Sequence, residues 1–192
     1  MESSKNSEKK TPRKPMRMPF KGYVQIYTGN GKGKTTAALG LALRAAGHGL
    51  RTYIGQFLKG QDYGELETAQ KLAPFITIEQ FGRKGFIHVT NDPDDEDIRM
   101  AQAGLKKCLK AMMSREYSLV ILDEINVAID FNLIKEQEVH DFLDRRPGSI
   151  EVILTGRYAP ESLIKRADLV TEMKEIKHYY TKDVPARDGI ER

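Results

Sequence analysis

The segment that most constrains this chain is the nine-residue stretch TGNGKGKTT at positions 28–36. It follows a short run typical of a β-strand, YVQIYT at 23–28, and leads into a helix-forming run, KTTAALGLALRAA at 34–46. In a strand–turn–helix unit of this kind, consecutive backbone N–H groups of the glycine-rich turn and the positive end of the helix face the same point, where they can bind a polyphosphate. The stretch therefore predicts a phosphate-binding loop (P-loop) within an α/β fold.

Each position of this loop has an expected task. The backbone N–H groups of residues 30–34 wrap the phosphates, Lys34 adds a point charge, and the Thr35 hydroxyl is placed to bind Mg²⁺. Thr28 stands where the general pattern G-x-x-x-x-G-K-[ST] has its first glycine. The expected nucleotide-binding residues in the loop are Gly29, Asn30, Gly31, Lys32, Gly33, Lys34, Thr35 and Thr36.

A second motif, LVILDE at 119–124, predicts the partner of the P-loop. An aliphatic strand that ends in acidic residues is typical of the strand that holds the metal ion from the side opposite the P-loop threonine. Asp123 is expected near Mg²⁺ (or Mn²⁺), and Glu124 is expected as a further metal contact or a base. Thr35, Asp123 and Glu124 are thus the candidate metal site.

Strands alternate with helices along the whole chain, and the strands are short apolar runs. This pattern predicts a mostly parallel central sheet flanked by helices, in one RecA-like P-loop domain over residues 20–192. A long helix is expected to begin at Asp92-Pro93, with Cys108 as a core side chain on its buried stripe. The other strands are expected at 52–58, 75–81, 118–122, 150–155 and 169–173, and the other helices near 137–143 and at 160–165.

The net charge of +4 lies almost entirely in the N-terminal segment. Six of the 31 basic residues and two of the 27 acidic ones fall in residues 1–19, so the rest of the chain has 25 of each sign. We therefore expect a flexible basic segment attached to a neutral domain, with no nucleic-acid or membrane partner. A single cysteine excludes an internal disulfide, and the absence of a long apolar run or signal-peptide core favours a cytoplasmic location.

These motifs alone leave several reactions open. A P-loop with an acidic partner strand serves ATP hydrolysis, small-molecule kinases, motors and other transfer reactions. The basic segment keeps a nucleic-acid-stimulated ATPase among the alternatives.

The wider pattern resembles one family, the P-loop-type ATP:corrinoid adenosyltransferases. The resemblance covers roughly residues 22–191 and is specific because distant motifs accompany the loop. They are TGNGKGKTTAALGLALRAAGHG (28–49), QFLKG (56–60), GFIH (85–88), VILDEIN (120–126), RPGSIEVILTGR (146–157), ADLVTEM (167–173), KH (177–178) and GIE (189–191).

The resemblance implies transfer of the 5′-deoxyadenosyl group of ATP to Co(I) of a corrinoid, with triphosphate as the leaving group. It implies catalytic roles for Lys34, Thr35 and Glu124, and it makes Arg44 and Arg157 candidate ATP contacts. For Arg44, a solvated charge on the first helix is the alternative. The family pattern further implies a homodimer, a separate reductase or flavoprotein as electron donor, and an N-terminal segment that folds over the site.

The corrinoid is expected against the loop at 82–92. Phe86 matches the first aromatic residue that the family places there, and His88 stands where many members have Trp. His88 has three possible roles: it packs on the corrin ring, approaches cobalt, or is an ordinary loop residue.

Overall fold

A computed structural model of the protein describes residues 21–83 and 93–191. Within these stretches the strands are β1 (Val24–Thr28), β2 (Thr52–Phe57), β3 (Ile76–Phe81), β4 (Leu119–Asp123), β5 (Glu151–Thr155) and β6 (Leu169–Glu172). The α-helices are α1 (Lys34–Gly47), α2 (Gly64–Lys71), α3 (Asp95–Ser114), α4 (Ile125–Asp130), α5 (Glu136–Asp144) and α6 (Glu161–Arg166), followed by a 3₁₀ turn at Tyr179–Lys182.

The six strands form one parallel sheet in the order β3-β2-β4-β5-β1-β6. All carboxyl ends therefore lie along one edge, the edge at which parallel sheets bind ligands. The predicted α/β fold with a single P-loop domain is confirmed.

Residues of one strand alternate between two hydrophobic layers, as the two-residue period of a strand requires. On β4, Leu119 and Ile121 pack in the layer that contains α1 and α2, whereas Val120 and Leu122 pack in the layer that contains α3 to α6. Because both faces are covered, β4 is buried along its whole length. This burial explains why its sequence is continuously apolar.

The long helix α3 begins later than predicted. Its N-cap is Asp94, whose side chain accepts a hydrogen bond from the backbone N–H of Glu96 at 2.9 Å, so the proposed cap at Asp92-Pro93 is wrong by two residues. Asp94 has the extended backbone that lets a carboxylate reach the first free N–H groups of a helix. The expected stripe on α3 is confirmed, with Cys108 fully buried in the core.

Two short helices, α2 and α4, were not predicted. Among the residues of α2 only Ala69 is buried, so its sequence has little apolar periodicity to detect. No helix in the described part of the chain is long and apolar enough to cross a membrane.

Candidate functional site

The carboxyl edge of the sheet brings the predicted motifs together around a cavity of about 630 Å³. The P-loop follows β1, the acidic pair follows β4, and Arg157 follows β5. The cavity is lined by Asn30, Gly31, Lys32, Gly33, Lys34, Thr35, Thr36, Leu39, Lys59, Tyr63, Gly64, Glu65, Thr68, Glu124, Arg157, His178, Gly189, Ile190 and Glu191.

Lys34 lies folded against its own loop. Its Nζ donates to the carbonyl oxygens of Gly29 at 2.7 Å and Gly31 at 2.8 Å. Burial lowers the pKa of Lys34, and the Arg157 charge acts in the same direction, whereas the Glu124 carboxylate opposes the shift. The Lys34 ammonium therefore lies beside the residues that are expected to bind phosphate.

The outer wall of the P-loop is the chain that continues from β6. The N–H of Gly31 donates to the carbonyl of Met173 at 2.7 Å. A Cβ on Gly29, whose φ is +94°, would lie 2.4 Å from the Met173 oxygen, and a Cβ on Gly31 would lie 2.8 Å from the Lys174 carbonyl. Glycine is therefore required at both positions by contact with protein backbone, before any ligand is considered.

Asp123 is buried, with 1% of its surface exposed. Its Oδ1 accepts from the hydroxyls of Thr35 at 2.9 Å and Thr155 at 2.7 Å. A hydroxyl oxygen and a carboxylate at this spacing are the hard oxygen ligands that Mg²⁺ prefers, so the residues present fit the ion. Among the described residues no three His, Cys, Asp or Glu side chains are grouped so that they could hold a metal ion.

Glu124 faces the cavity from a left-handed backbone, with φ at 63°, between β4 and α4. Its N–H donates to Thr155 Oγ1 at 2.9 Å, which holds the turn in place. Burial raises the pKa of the Glu124 carboxyl, and the charge of neighbouring Asp123 raises it further. Left-handed backbone at a non-glycine residue is often found where a side chain must be aimed at a ligand.

The two predicted arginines are placed differently. Arg157 lines the cavity beyond Gly156, whose carbonyl accepts a hydrogen bond from the buried Asn126 amide at 3.2 Å. Arg44 is exposed in the last turn of α1 and lies outside the residues that line the cavity. The structure therefore brings Arg157, but not Arg44, to the P-loop of the same chain.

The C-terminal segment closes one side of the cavity. Lys32 Nζ donates to the carboxylate of Glu191 at 2.9 Å and to the carbonyl of Ile190 at 3.2 Å. The Tyr179 hydroxyl and the Arg187 guanidinium donate to the same carboxylate, and together these donors hold the pKa of Glu191 well below its ordinary value. The family motif GIE thus contacts the P-loop, and His178 of the motif KH lines the same cavity.

Lys59, Thr155 and Glu191 are among the polar residues of this site that were not predicted individually. Lys59 follows β2 and Thr155 ends β5, and both strands have their carboxyl ends at the ligand edge of the sheet. This position after or at the end of a strand is a signal by which the two residues could have been predicted. Phe86 and His88, the candidate corrinoid contacts, lie outside the described residues.

Comparison with known proteins identifies one family. The family model "ATP:corrinoid adenosyltransferase BtuR/CobO/CobP" matches residues 20–192. A corrinoid adenosyltransferase from Sinorhizobium sp. is 38% identical over 177 residues, which cover 89% of this chain and 80% of the relative. One from Escherichia coli (strain K12) is 33% identical over 172 residues, covering 89% and 86%.

The structural neighbours agree on the fold. The flagellar accessory protein FlaH of Methanocaldococcus jannaschii aligns with a TM-score of 0.56 over 79% of this chain and 71% of its own, at 15% identity. Such low identity shows the fold alone, whereas the family model and the closer relatives span nearly the entire described domain. The chain belongs to the ATP:corrinoid adenosyltransferase family.

Proposed function

We propose that this chain transfers the 5′-deoxyadenosyl group of ATP to the Co(I) centre of a corrinoid, with Lys34, Thr35 and Glu124 as its central catalytic residues. The observation that supports this proposal most strongly is the meeting of the P-loop, the Asp123–Glu124 pair and Arg157 around one cavity. Family membership supplies the substrates, ATP and a corrinoid.

The reaction makes few demands on proton chemistry. Co(I) supplies the electron pair of the new Co–C5′ bond, while the C5′–O bond breaks and its pair leaves with triphosphate. Because no proton is removed from the nucleophile, the protein must chiefly position C5′ and stabilise the charge that develops on the leaving group. The loop amides, Lys32, Lys34 and Arg157 are the donors that serve this purpose.

The metal ion of the proposed reaction is Mg²⁺ or Mn²⁺. Thr35, Asp123 and Glu124 would hold it, and when bound it neutralises part of the triphosphate charge. Thr155 keeps the Asp123 carboxylate oriented through its 2.7 Å hydrogen bond.

The remaining features of the proposed function rest on the family pattern. They are a homodimer, a cytoplasmic location, a separate reductase or flavoprotein that generates Co(I), and corrinoid contacts from Phe86 and His88. Arg44 lies in the last turn of α1, outside the residues that line the cavity, so the alternative to an ATP contact is a solvated charge on this helix.

Product analysis tests the proposal. Incubation with ATP, Mg²⁺ and chemically reduced cob(I)alamin is expected to give a light-sensitive Co–C product and triphosphate in equal amounts. ADP and phosphate would contradict the proposal and would favour an ATPase, including the nucleic-acid-stimulated kind. A phosphorylated small molecule would favour a kinase.

A further inference from the structure

Lys59 is a half-buried cation in the cavity to which the sequence motifs assign no task. It follows β2, and the residue before it, Leu58, has a left-handed backbone with φ at 62°. Its side chain is 16% exposed and lines the cavity together with the P-loop. A strained turn that directs a long charged side chain inward, at the ligand edge of the sheet, suggests a functional role.

The partners of Lys59 are acidic. Its Nζ lies 2.9 Å from Oδ2 of Asp123 and 3.8 Å from Oε1 of Glu65, and it lies 5.3 Å from the centre of the Tyr63 ring. The amide of Gln56 spans the same two carboxylates, at 3.0 Å from Glu65 and 3.4 Å from Asp123.

The two oxygens of Asp123 are thus occupied by different kinds of donor. Oδ1 accepts from the neutral hydroxyls of Thr35 and Thr155, while Oδ2 carries the ion pair with Lys59 and also accepts the longer hydrogen bond from the Gln56 amide. A buried carboxylate without a counter-charge is strongly unfavourable, so Lys59 compensates Asp123 when no other cation is near. Burial works against the charged form of Lys59, yet the Asp123 charge and hydrogen bond outweigh it and raise the pKa of Lys59.

Binding of the proposed substrates changes this balance. Asp123 and Thr35 would hold a divalent cation, whose charge would compensate Asp123 and repel the ammonium of Lys59. Triphosphate, which enters the same cavity, offers several anionic oxygens. Lysine is suited to such a change of partner because its charge sits on a flexible four-carbon stem with three donors.

We propose that Lys59 is a third triphosphate-binding lysine, in addition to Lys32 and Lys34. Asp123 holds it in the free protein, and it moves to the leaving triphosphate when a metal ion replaces it as the counter-charge of Asp123. The inference rests on the proposed function, since it assigns a further group to the same leaving group. It makes Lys59 a phosphate contact that acts together with Lys34.

The test measures binding of inorganic tripolyphosphate in the presence of Mg²⁺, by calorimetry, to wild-type protein and matched variants. Lys59→Met removes the charge while keeping the length, Lys59→Gln keeps a hydrogen-bond donor for Asp123, and Lys59→Arg keeps the charge. Lys106→Met, on the exposed face of α3, is the control. We expect the Kd for tripolyphosphate to rise at least about tenfold in the Met and Gln variants, which is the effect of losing one charge-assisted hydrogen bond. The Kd of the Arg variant should stay within about threefold of the wild-type value, and that of the control should be unchanged.

A thermal melt of the ligand-free proteins gives the second readout. Lys59→Met should lower the midpoint because it leaves Asp123 uncompensated, and adding Asp123→Asn should restore it. A lowered midpoint together with wild-type affinity for tripolyphosphate in the Met and Gln variants would overturn the proposal and leave a structural ion pair.

The proposed function is tested separately with cob(I)alamin and ATP. Wild-type protein that forms the Co–C bond, alongside Lys59 variants that bind tripolyphosphate normally, would overturn only the role of Lys59. Lysine-dependent tripolyphosphate binding without transfer would support that role and overturn only the adenosyltransferase function.

Discussion

Among single residues, Lys34 gives the most direct test of the proposed chemistry. Lys34→Ala removes the ammonium that we propose to stabilise the leaving triphosphate, so we expect kcat/KM for adenosyl transfer to fall by about 10² or more. Lys34→Arg should recover part of the loss because it restores the charge. A rate near that of wild type for Lys34→Ala would remove this residue from its assigned role.

A loss of activity in Lys34→Ala must be separated from disorder of the loop, because Nζ also bonds the carbonyls of Gly29 and Gly31. The matched control is Lys110→Ala, which removes an exposed ammonium from α3. Its rate and its thermal midpoint should both equal those of the wild type.

Cys108 gives a second prediction at this scale. The thiol is fully buried against β2, and burial raises its pKa, so the reactive thiolate is scarce and shielded. At pH 8 the folded protein should react with a coloured disulfide reagent at least about 100-fold more slowly than the chain in guanidinium chloride. Since the sequence contains one cysteine, the signal is unambiguous, and rapid stoichiometric labelling of the folded protein would show that the core interpretation is wrong.

At the scale of elements, the packing of α3 on β3 depends on Gly104. A Cβ at this position would lie 2.4 Å from Cγ and 2.5 Å from Cδ2 of Phe81. Gly104→Ala should therefore lower the free energy of unfolding in urea by about 1–3 kcal/mol, although alanine is the better helix former. The contact matters for function because β3 leads into residues 82–92, where the corrinoid is expected.

Gly40→Ala is the matched control for this experiment. Gly40 is exposed in the middle of α1, and apart from the local helix backbone no atom of the described residues lies within 4 Å of a Cβ placed there. This substitution should raise the free energy of unfolding by about 0.5–1 kcal/mol. Equal stabilisation by both substitutions would mean that α3 does not pack as closely on β3 as described.

The elements also show what local sequence can and cannot predict. The long helix α3 and the strand β4 were found because many residues repeat one periodicity or one burial class. The short helix α4 was not predicted because it begins directly after Glu124. The left-handed backbone of Glu124 is not indicated by any periodicity in the sequence. Boundaries differed for similar reasons, as at Asp94, where adjacent acidic residues are equally good caps by type.

The candidate site was predictable only in its local parts. The P-loop is one continuous stretch, and the acidic pair ends a recognisable strand. The contact of Lys59 with Asp123 joins the segment after β2 to the end of β4, and that of Lys32 with Glu191 spans nearly the whole domain. Such contacts depend on strand order, which a pattern of strands and helices does not determine.

On the scale of the whole molecule, the charge distribution separates the N-terminal segment from the domain. The domain has equal numbers of acidic and basic residues, whereas residues 1–19 carry the net +4. This segment lies outside the described residues. The family resemblance suggests that it folds over the site, where Arg13, Lys14 and Arg17 would meet corrinoid amides or nucleotide phosphate, and a solvated tail is the alternative.

Deletion of residues 1–19 tests this idea. We expect the KM for the corrinoid to rise roughly threefold to tenfold, as the loss of two or three exposed contacts would produce, with an unchanged thermal midpoint. Full-length and shortened proteins should be compared at two salt concentrations, since screening weakens such contacts. An unchanged KM would show that the segment and its positive charge take no part in corrinoid binding.

The backbone that follows β6 gives natural selection a second reason to preserve the glycines of the P-loop. Gly29 and Gly31 are required by Met173 and Lys174 of the same chain, whether or not a nucleotide ever binds. A descendant that lost its catalytic activity would no longer need the Lys34 charge or the Thr35 hydroxyl for transfer, but a side chain at either glycine would still clash with this backbone. Inactive descendants within this family should therefore be recognised by changes at the lysine and the threonine. The two glycines do not indicate activity, because the packing of the fold requires them.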